Sequence, residues 1–288
     1  KILRETGVMN GMLISGESDQ AKEAFAALED ESKKSALLKK IKEYSIVNAV
    51  ASVTGSATGV EEPADQVFSE SAEYRFVPVT ADGTKINDPE LAMKNGKDKK
   101  VVLWDFGAKA NIRRELLKRG LEVVTVPSSY TAEQITALNP DGIMLSNGPG
   151  DPAENVQIIE NLKEIAKLNI PIFGICLGHQ LMALANGIRT YKLKYGHRGG
   201  THPVTDMETG RVYITSQNHG YAVDDTSIDP KVAVPAFVNV NDGTNEGLKY
   251  TGKNIFTVQY HPEACPGPLD SGYLFDRFMK MMEVKKNA

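Results

Sequence analysis

Residues 174 to 178 read Gly-Ile-Cys-Leu-Gly, with an apolar run from Pro171 to Ile175 before the cysteine and a helical pattern after it. A cysteine on such a turn, with Gly174 and Gly178 two residues to either side, has the spacing of a nucleophile elbow in which sulfur replaces a serine hydroxyl. Glycine lets backbone approach closely there, and the amides and positive dipole end of the following helix favour the thiolate. A free cysteine is about as often an inert buried residue, so the case for Cys176 turns on what could activate it. Tyr260-His261-Pro262-Glu263 follows the apolar run Ile255 to Gln259, so an imidazole and a carboxylate leave one strand end together. His261 suits a base that takes the thiol proton and later gives it to a leaving amine. Glu263 suits the group that fixes the imidazole tautomer and steadies its charged form. Between 143 and 152 an apolar strand breaks into the loop Ser146-Asn147-Gly148-Pro149-Gly150-Asp151-Pro152. This is either an ordinary turn or a source of backbone amides that face, with the amide of Leu177, the oxygen of a tetrahedral intermediate.

The loop at 146–152, the segment Gly174 to Gln180 and the segment Gln259 to Ala264, in this order and spacing, resemble the class I (triad) glutamine amidotransferases. Phe106 to Asn111, Gly196 to Pro203, Ser216 to Val223 and His261 to Pro268 look more narrowly like the small, glutamine-hydrolysing subunit of carbamoyl-phosphate synthetases. The glutaminases of anthranilate and GMP synthetases share the triad pattern and stand second. The resemblance implies hydrolysis of L-glutamine through Cys176, His261 and Glu263. It also implies an oxyanion and glutamine site at Gly148, Gly150, Leu177, Gln180, Asn218, Gly220 and Tyr221. Ammonia would pass to a large subunit carrying ATP and Mg²⁺, with no cofactor on this chain, for carbamoyl phosphate used in arginine and pyrimidine synthesis. Leu3 to Met12 looks like the latter part of that subunit's amino-terminal domain, so the expected organisation is a remainder of that domain over 1–97 and the amidotransferase domain over 98–288. The missing front part motivates a rival reading, a non-catalytic module that docks on a synthetase.

The other four histidines do not call for a metal. His179 falls in the first turn of the helix after Cys176 and suits a structural hydrogen bond, while His197 and His202 flank glycines in what reads as a hairpin. His219 lies beside the expected glutamine contacts and suits a packing or hydrogen-bonding role as well as a catalytic one. Asp105 and Lys109 suit a loop-fixing salt bridge slightly better than a substrate role, Trp104 and Met279, Met281 and Met282 suit a core, and Cys265 suits no particular role. With 288 residues, 41% hydrophobic and 24% charged, the chain can bury one large core and a smaller second unit. A net charge of −4 offers no basic field for nucleic acid, and no apolar run approaches the roughly 20 residues that span a bilayer. Two cysteines make no disulfide framework, and a reactive thiol needs a reducing, cytoplasmic setting.

The elements that must hold these residues alternate. Strand Val101 to Asp105, helix Ala108 to Arg119 stopped by Gly120, strand Glu122 to Val126, helix Ala132 to Leu138 and strand Gly142 to Leu145 come first. Helix Glu154 to Leu168 and strand Pro171 to Ile175 follow. The fold class is therefore α/β, a mostly parallel sheet with helices on both faces and its ligands at the carboxyl ends of the strands, preceded by a smaller α/β unit. Turn-rich β pattern from about 189 to 259 predicts shorter, partly antiparallel strands, and Ser271 to Val284 a closing helix. Upstream, helices are expected from Ser18 to near Asp30 and around Leu37 to Ile41, short β-branched runs over 46–80, and an exposed lysine-rich linker over 94–100.

Overall fold

A computed structural model of the chain describes residue 26 and residues 30–43, 47–55, 59–61, 99–264 and 270–284. The resemblance at Leu3 to Met12, the helix expected from Ser18, most of the linker and Cys265 lie outside the described residues. Upstream stand helices α1 (Glu31–Glu43) and α2 (Ala49–Val53) and strand β1 (Gly59–Glu61). From residue 100 the chain runs β2 (Lys100–Asp105), α3 (Ala110–Leu117), β3 (Glu122–Pro127), α4 (Ala132–Ala137), β4 (Gly142–Leu145), α5 (Val156–Ile165), β5 (Ile172–Ile175) and α6 (Leu177–Ala185). Four strands that pair antiparallel follow, β6 (Thr190–Asp206), β7 (Val212–Val223), β8 (Ala233–Asn239) and β9 (Asn245–Tyr250), then β10 (Ile255–Val258) and α7 (Tyr273–Val284).

All ten described strands form one sheet, in the order β1-β3-β2-β4-β5-β10-β9-β8-β6-β7. The five strands from β3 to β10 in that order are mutually parallel, and antiparallel pairs extend the sheet at both edges. Side chains alternate between two apolar layers, as the two-residue strand period requires. Val102, Trp104, Ile143, Leu145 and Ile172 pack with Ile135, Ile158, Leu162 and Leu181 of the helices on one face. Val101, Leu103, Met144, Phe173 and Ile175 pack with Ile112, Leu116, Phe275 and Phe278 on the other. Helices on both faces follow from strands that are apolar on both sides. In α5 the buried positions Ile158, Leu162 and Ile165 keep helical spacing, and α4 opens on a capping box between Thr131 and Gln134.

Three expectations are corrected. Two of the strands beyond residue 189 are long, not short: β6 has 17 residues and pairs with the 12 of β7 through two register shifts, whereas β8, β9 and β10 have 7, 6 and 4. His197 and His202 therefore sit within a strand, since the turn of this hairpin lies between Asp206 and Val212. The linker ends earlier than its lysines suggest, because Lys100 begins β2 and Lys99 is buried, its Nζ 3.4 Å from Glu283. A lysine run is a solvated face only where no element claims it. Among the described residues no helix is long and apolar enough to cross a membrane.

Candidate functional site

Cys176 stands between β5 and α6 with φ 53° and ψ −102°, one of three non-glycine residues with positive φ among those described. Such backbone costs on the order of 1–3 kcal/mol and persists only where its surroundings enforce it. The Cys176 amide donates to the Val258 carbonyl at 2.8 Å, tying the turn to β10, and its carbonyl accepts from Gln180 at 3.2 Å as the helix begins. The two flanking glycines are steric necessities. A Cβ on Gly174 would lie 2.8 Å from Thr257 Cγ2, and one on Gly178 would lie 2.6 Å from the Leu145 carbonyl oxygen. The Gly178 amide donates to the Ser146 carbonyl, so α6 starts hard against the end of β4.

β10 is the parallel neighbour of β5, with Val258 opposite Ile175, so both chains leave the sheet on the same side. His261 follows three residues later, its amide held by the Ser216 carbonyl of β7 at 2.9 Å. Its Nδ1 lies 2.7 Å from Glu263 Oε1, and both side chains are buried. Burial by itself pushes the imidazole down. The charge and hydrogen bond of Cys176, joined by those of Glu263, outweigh it and push His261 up to about 9. Cys176, His261 and Glu263 are thus brought together as a chain of sulfur, imidazole and carboxylate. Glu263 Oε2 is buried without a hydrogen-bond partner, while Lys109 Nζ stands 3.9 Å from Oε1 and Asn111 donates to the Glu263 carbonyl at 2.6 Å.

Gly148 lies beside α6: a Cβ there would meet the Phe106 carbonyl oxygen and stand 2.6 Å from Leu177 Cδ2. Gln180 is buried and gives its Nε2 hydrogens to the Tyr221 carbonyl and Gln259 Oε1, each at 2.9 Å. Tyr221 reaches the other way. Its hydroxyl bonds Asp151 in the 146–152 loop, and burial followed by that carboxylate pushes it up to about 12. Gln180, Tyr221 and the loop holding Gly148 and Gly150 are therefore one connected wall. Asn218 is exposed, and Gly220 is partly buried beside it on β7. A cleft of about 490 Å³ runs past His261, Glu263, Lys109, Asn218 and Arg198, but Cys176, Leu177, Gln180 and Tyr221 are not on its walls.

Sequence reasoning missed several members of this frame. Asp105 does not pair with Lys109. Its Oδ1 accepts the amides of Gly107 at 2.8 Å and Ala108 at 2.7 Å, while Lys109 turns to Glu263. An aspartate ending a strand two residues before a glycine is the signal of such an Asx turn. Asn147 fastens the same turn, accepting from the Lys109 amide and donating to the Gly107 carbonyl, and nothing local announces that pairing across 38 residues. His179 makes a structural bond to Thr257 Oγ1 at 2.8 Å, and burial lowers it to about 3. His219 Nδ1 lies 2.8 Å from the Tyr221 carbonyl and its Nε2 2.9 Å from Gln217 Oε1; burial lowers it to about 3.

His197, His219 and Glu246 are buried with ligand atoms within 4.8 Å of one another, the spacing of a metal-binding group. Their nitrogens are engaged in other bonds, however. His197 reaches Glu246 at 3.2 Å and Asp242 at 2.8 Å, and the Glu246 hydrogen bond, opposed by burial and reinforced by Asp242, pushes it up to about 9.

A match to the family described as glutamine amidotransferase class-I covers residues 102–281. The carbamoyl phosphate synthase small chain of Listeria innocua is 54% identical over 193 residues, covering 67% of this chain and 53% of its own length. That of Staphylococcus haemolyticus is 45% identical over 258 residues, covering 87% and 66%. The pyrimidine-specific small chain of Bacillus subtilis is 54% identical over 189 residues, covering 66% and 51%. The chain thus spans about half to two thirds of the length of the curated relatives it matches. A solved structure from Thermoplasma acidophilum, described as a GMP synthase subunit, shares the fold at a TM-score of 0.58 and 22% identity, over 66% of this chain and 96% of its own.

Proposed function

This chain belongs to the glutamine amidotransferase class-I family, and we propose that it hydrolyses the side-chain amide of glutamine to glutamate and ammonia at Cys176. The observation that carries the reading is the strained cysteine between β5 and α6 with the buried His261–Glu263 pair beside it. Cys176 Sγ attacks the amide carbon, and the oxygen's growing charge is met by the amides of Gly148 and Leu177. His261 gives its proton to the departing nitrogen, leaving a glutamyl thioester. Water then attacks the thioester carbon, His261 takes the water's proton, and glutamate leaves as the sulfur regains its starting state. Glu263 keeps Nδ1 protonated so that Nε2 serves the reaction. Gln180, Asn218, Gly220, Tyr221 and Gly150 hold the polar ends of the substrate.

Likeness to the small chains at 45–54% identity supports a destination for the ammonia, the large subunit of a carbamoyl-phosphate synthetase. There ATP and Mg²⁺ would drive carbamoyl phosphate formation, with no cofactor on this chain. Residues 98–288 form the glutaminase domain in this reading, residues 1–97 belong to an amino-terminal domain, and a cytoplasmic setting keeps the thiol reduced. The test is glutamate release from glutamine by this chain, with and without the large subunit, beside Cys176→Ala and Cys265→Ala. Activity is expected in all forms except Cys176→Ala. Equal release by wild type and Cys176→Ala would overturn the reading, and silence of every form with the large subunit bound would favour the docking module.

A further inference from the structure

We propose that residues 47–55 clamp the two loops beside the nucleophile, with Thr54 as a positioning residue for Gly148. The inference rests on the glutaminase reading above, and its residues lie outside the matched family region 102–281.

The clamp has a polar side. Thr54 Oγ1 donates to the Asp105 carbonyl at 2.7 Å and accepts from the Ser128 amide at 2.9 Å, so one hydroxyl bridges the carboxyl ends of β2 and β3. The Gly55 amide donates to Asp105 Oδ2 at 3.2 Å, while Oδ1 of the same carboxylate holds the Gly107 and Ala108 amides. A single aspartate thereby ties the upstream segment to the 105–109 turn.

Its apolar side leaves no slack. Val50 is buried in the same core as Phe106 and Leu177. At Gly107, whose φ is +115°, a Cβ would stand 2.8 Å from Val53 Cγ2 and 3.2 Å from Pro149 Cδ. At Gly150 a Cβ would stand 2.9 Å from that of Ala49. Gly148 lies inside this layer, against Phe106 and Leu177. From α2 inward the order is therefore α2, then Gly107 with Pro149 and Gly150, then Gly148, then Leu177 next to Cys176. α2 thus packs against the 105–109 turn at Gly107 and the 146–152 loop at Gly150, the two segments that flank Gly148. An oxyanion donor acts through its position, and misplacement by about 1 Å can cost a hundredfold in rate.

Thr54→Val keeps the shape of the side chain and removes both hydrogen bonds, whereas Thr54→Ser keeps the hydroxyl. Both are made in the full chain and measured in two ways. Deuterium uptake of a peptide spanning 143–155 should be about tenfold faster in Thr54→Val and near wild type in Thr54→Ser. With the large subunit present, Thr54→Val should lower the kcat for glutamate release roughly ten- to a hundredfold with KM within about twofold, and Thr54→Ser should restore it. Unchanged uptake in Thr54→Val overturns the clamp, even if its melting temperature falls, because a merely structural threonine would act on the whole fold. If uptake responds but the wild type releases no glutamate, the glutaminase reading fails and the clamp stands.

Discussion

Cys176 holds its sulfur on backbone that favours glycine, so function and local stability are opposed at one position. Cys176→Gly and Cys176→Ala should both abolish glutamate release, yet the glycine variant should be the more stable by about 1 kcal/mol in denaturant melts. An alanine variant at least as stable would mean that the turn is unstrained. In the proposed reaction, the imidazole beside it sets the pH range. His261 is pushed up to about 9, and the proton it carries is the one that the departing ammonia needs. In a pH series, kcat/KM should therefore fall above about pH 9; a plateau continuing a full unit beyond that would show that His261 is not the acid. Glu263→Gln leaves a hydrogen-bond acceptor but no charge for the imidazolium. It should cost up to about 10⁴-fold in kcat while KM for glutamine changes little, since Glu263 supports the reacting groups and not the substrate's ends.

At the scale of elements, the site depends on α6 starting flush with the end of β4. Gly178→Ala places a methyl 2.6 Å from the Leu145 carbonyl oxygen, which belongs to a strand in the middle of the sheet and cannot retreat. The expected cost is about 1–3 kcal/mol, read in thermal or denaturant unfolding, and a neutral outcome would mean that α6 is free to slide. Much of this arrangement was legible in the sequence because its signals are local. Gly174 and Gly178 bracket Cys176, His261 and Glu263 share one strand end, and the apolar periods locate β2 to α6 to within a few residues. What escaped notice depends on contacts between distant segments. The run around Ala49 to Val53 reads as β-branched and loop-like, yet tertiary packing of Val50 and Ala49 makes it a helix. The salt bridge expected between Asp105 and Lys109 failed because Asp105 is consumed by amides of its own turn and of residue 55. β6 carries Gly196, Gly199 and Gly200, which read as a turn, but the long partner strand β7 accommodates them through register shifts.

Over the whole molecule, the histidines set opposing trends with pH. His261 and His197 are raised to about 9, so they bind protons more tightly folded than unfolded, where the ordinary value is 6.5. Their contribution to stability is full below about 6.5 and is lost as pH rises through 9. His179 and His219 are lowered to about 3 by burial, so they resist protonation when folded. Their contribution is full above 6.5 and is lost as pH falls toward 3. Melting temperature should therefore peak near pH 6.5 and decline on both sides in calorimetry, and His197→Gln should flatten the alkaline limb; a profile that is level from about pH 5 to 9 would contradict both assignments. The sheet order has a further result. β10 lies between β5 and β9 but follows both in the chain, so the parallel and antiparallel halves cannot be joined until residues 255–258 take their place. Pairing over such separations is slow to form. The base trails that strand by three residues. In a polypeptide still being synthesised, Cys176 therefore exists before the imidazole that will stand beside it, and their contact can form only after residue 261 has been made.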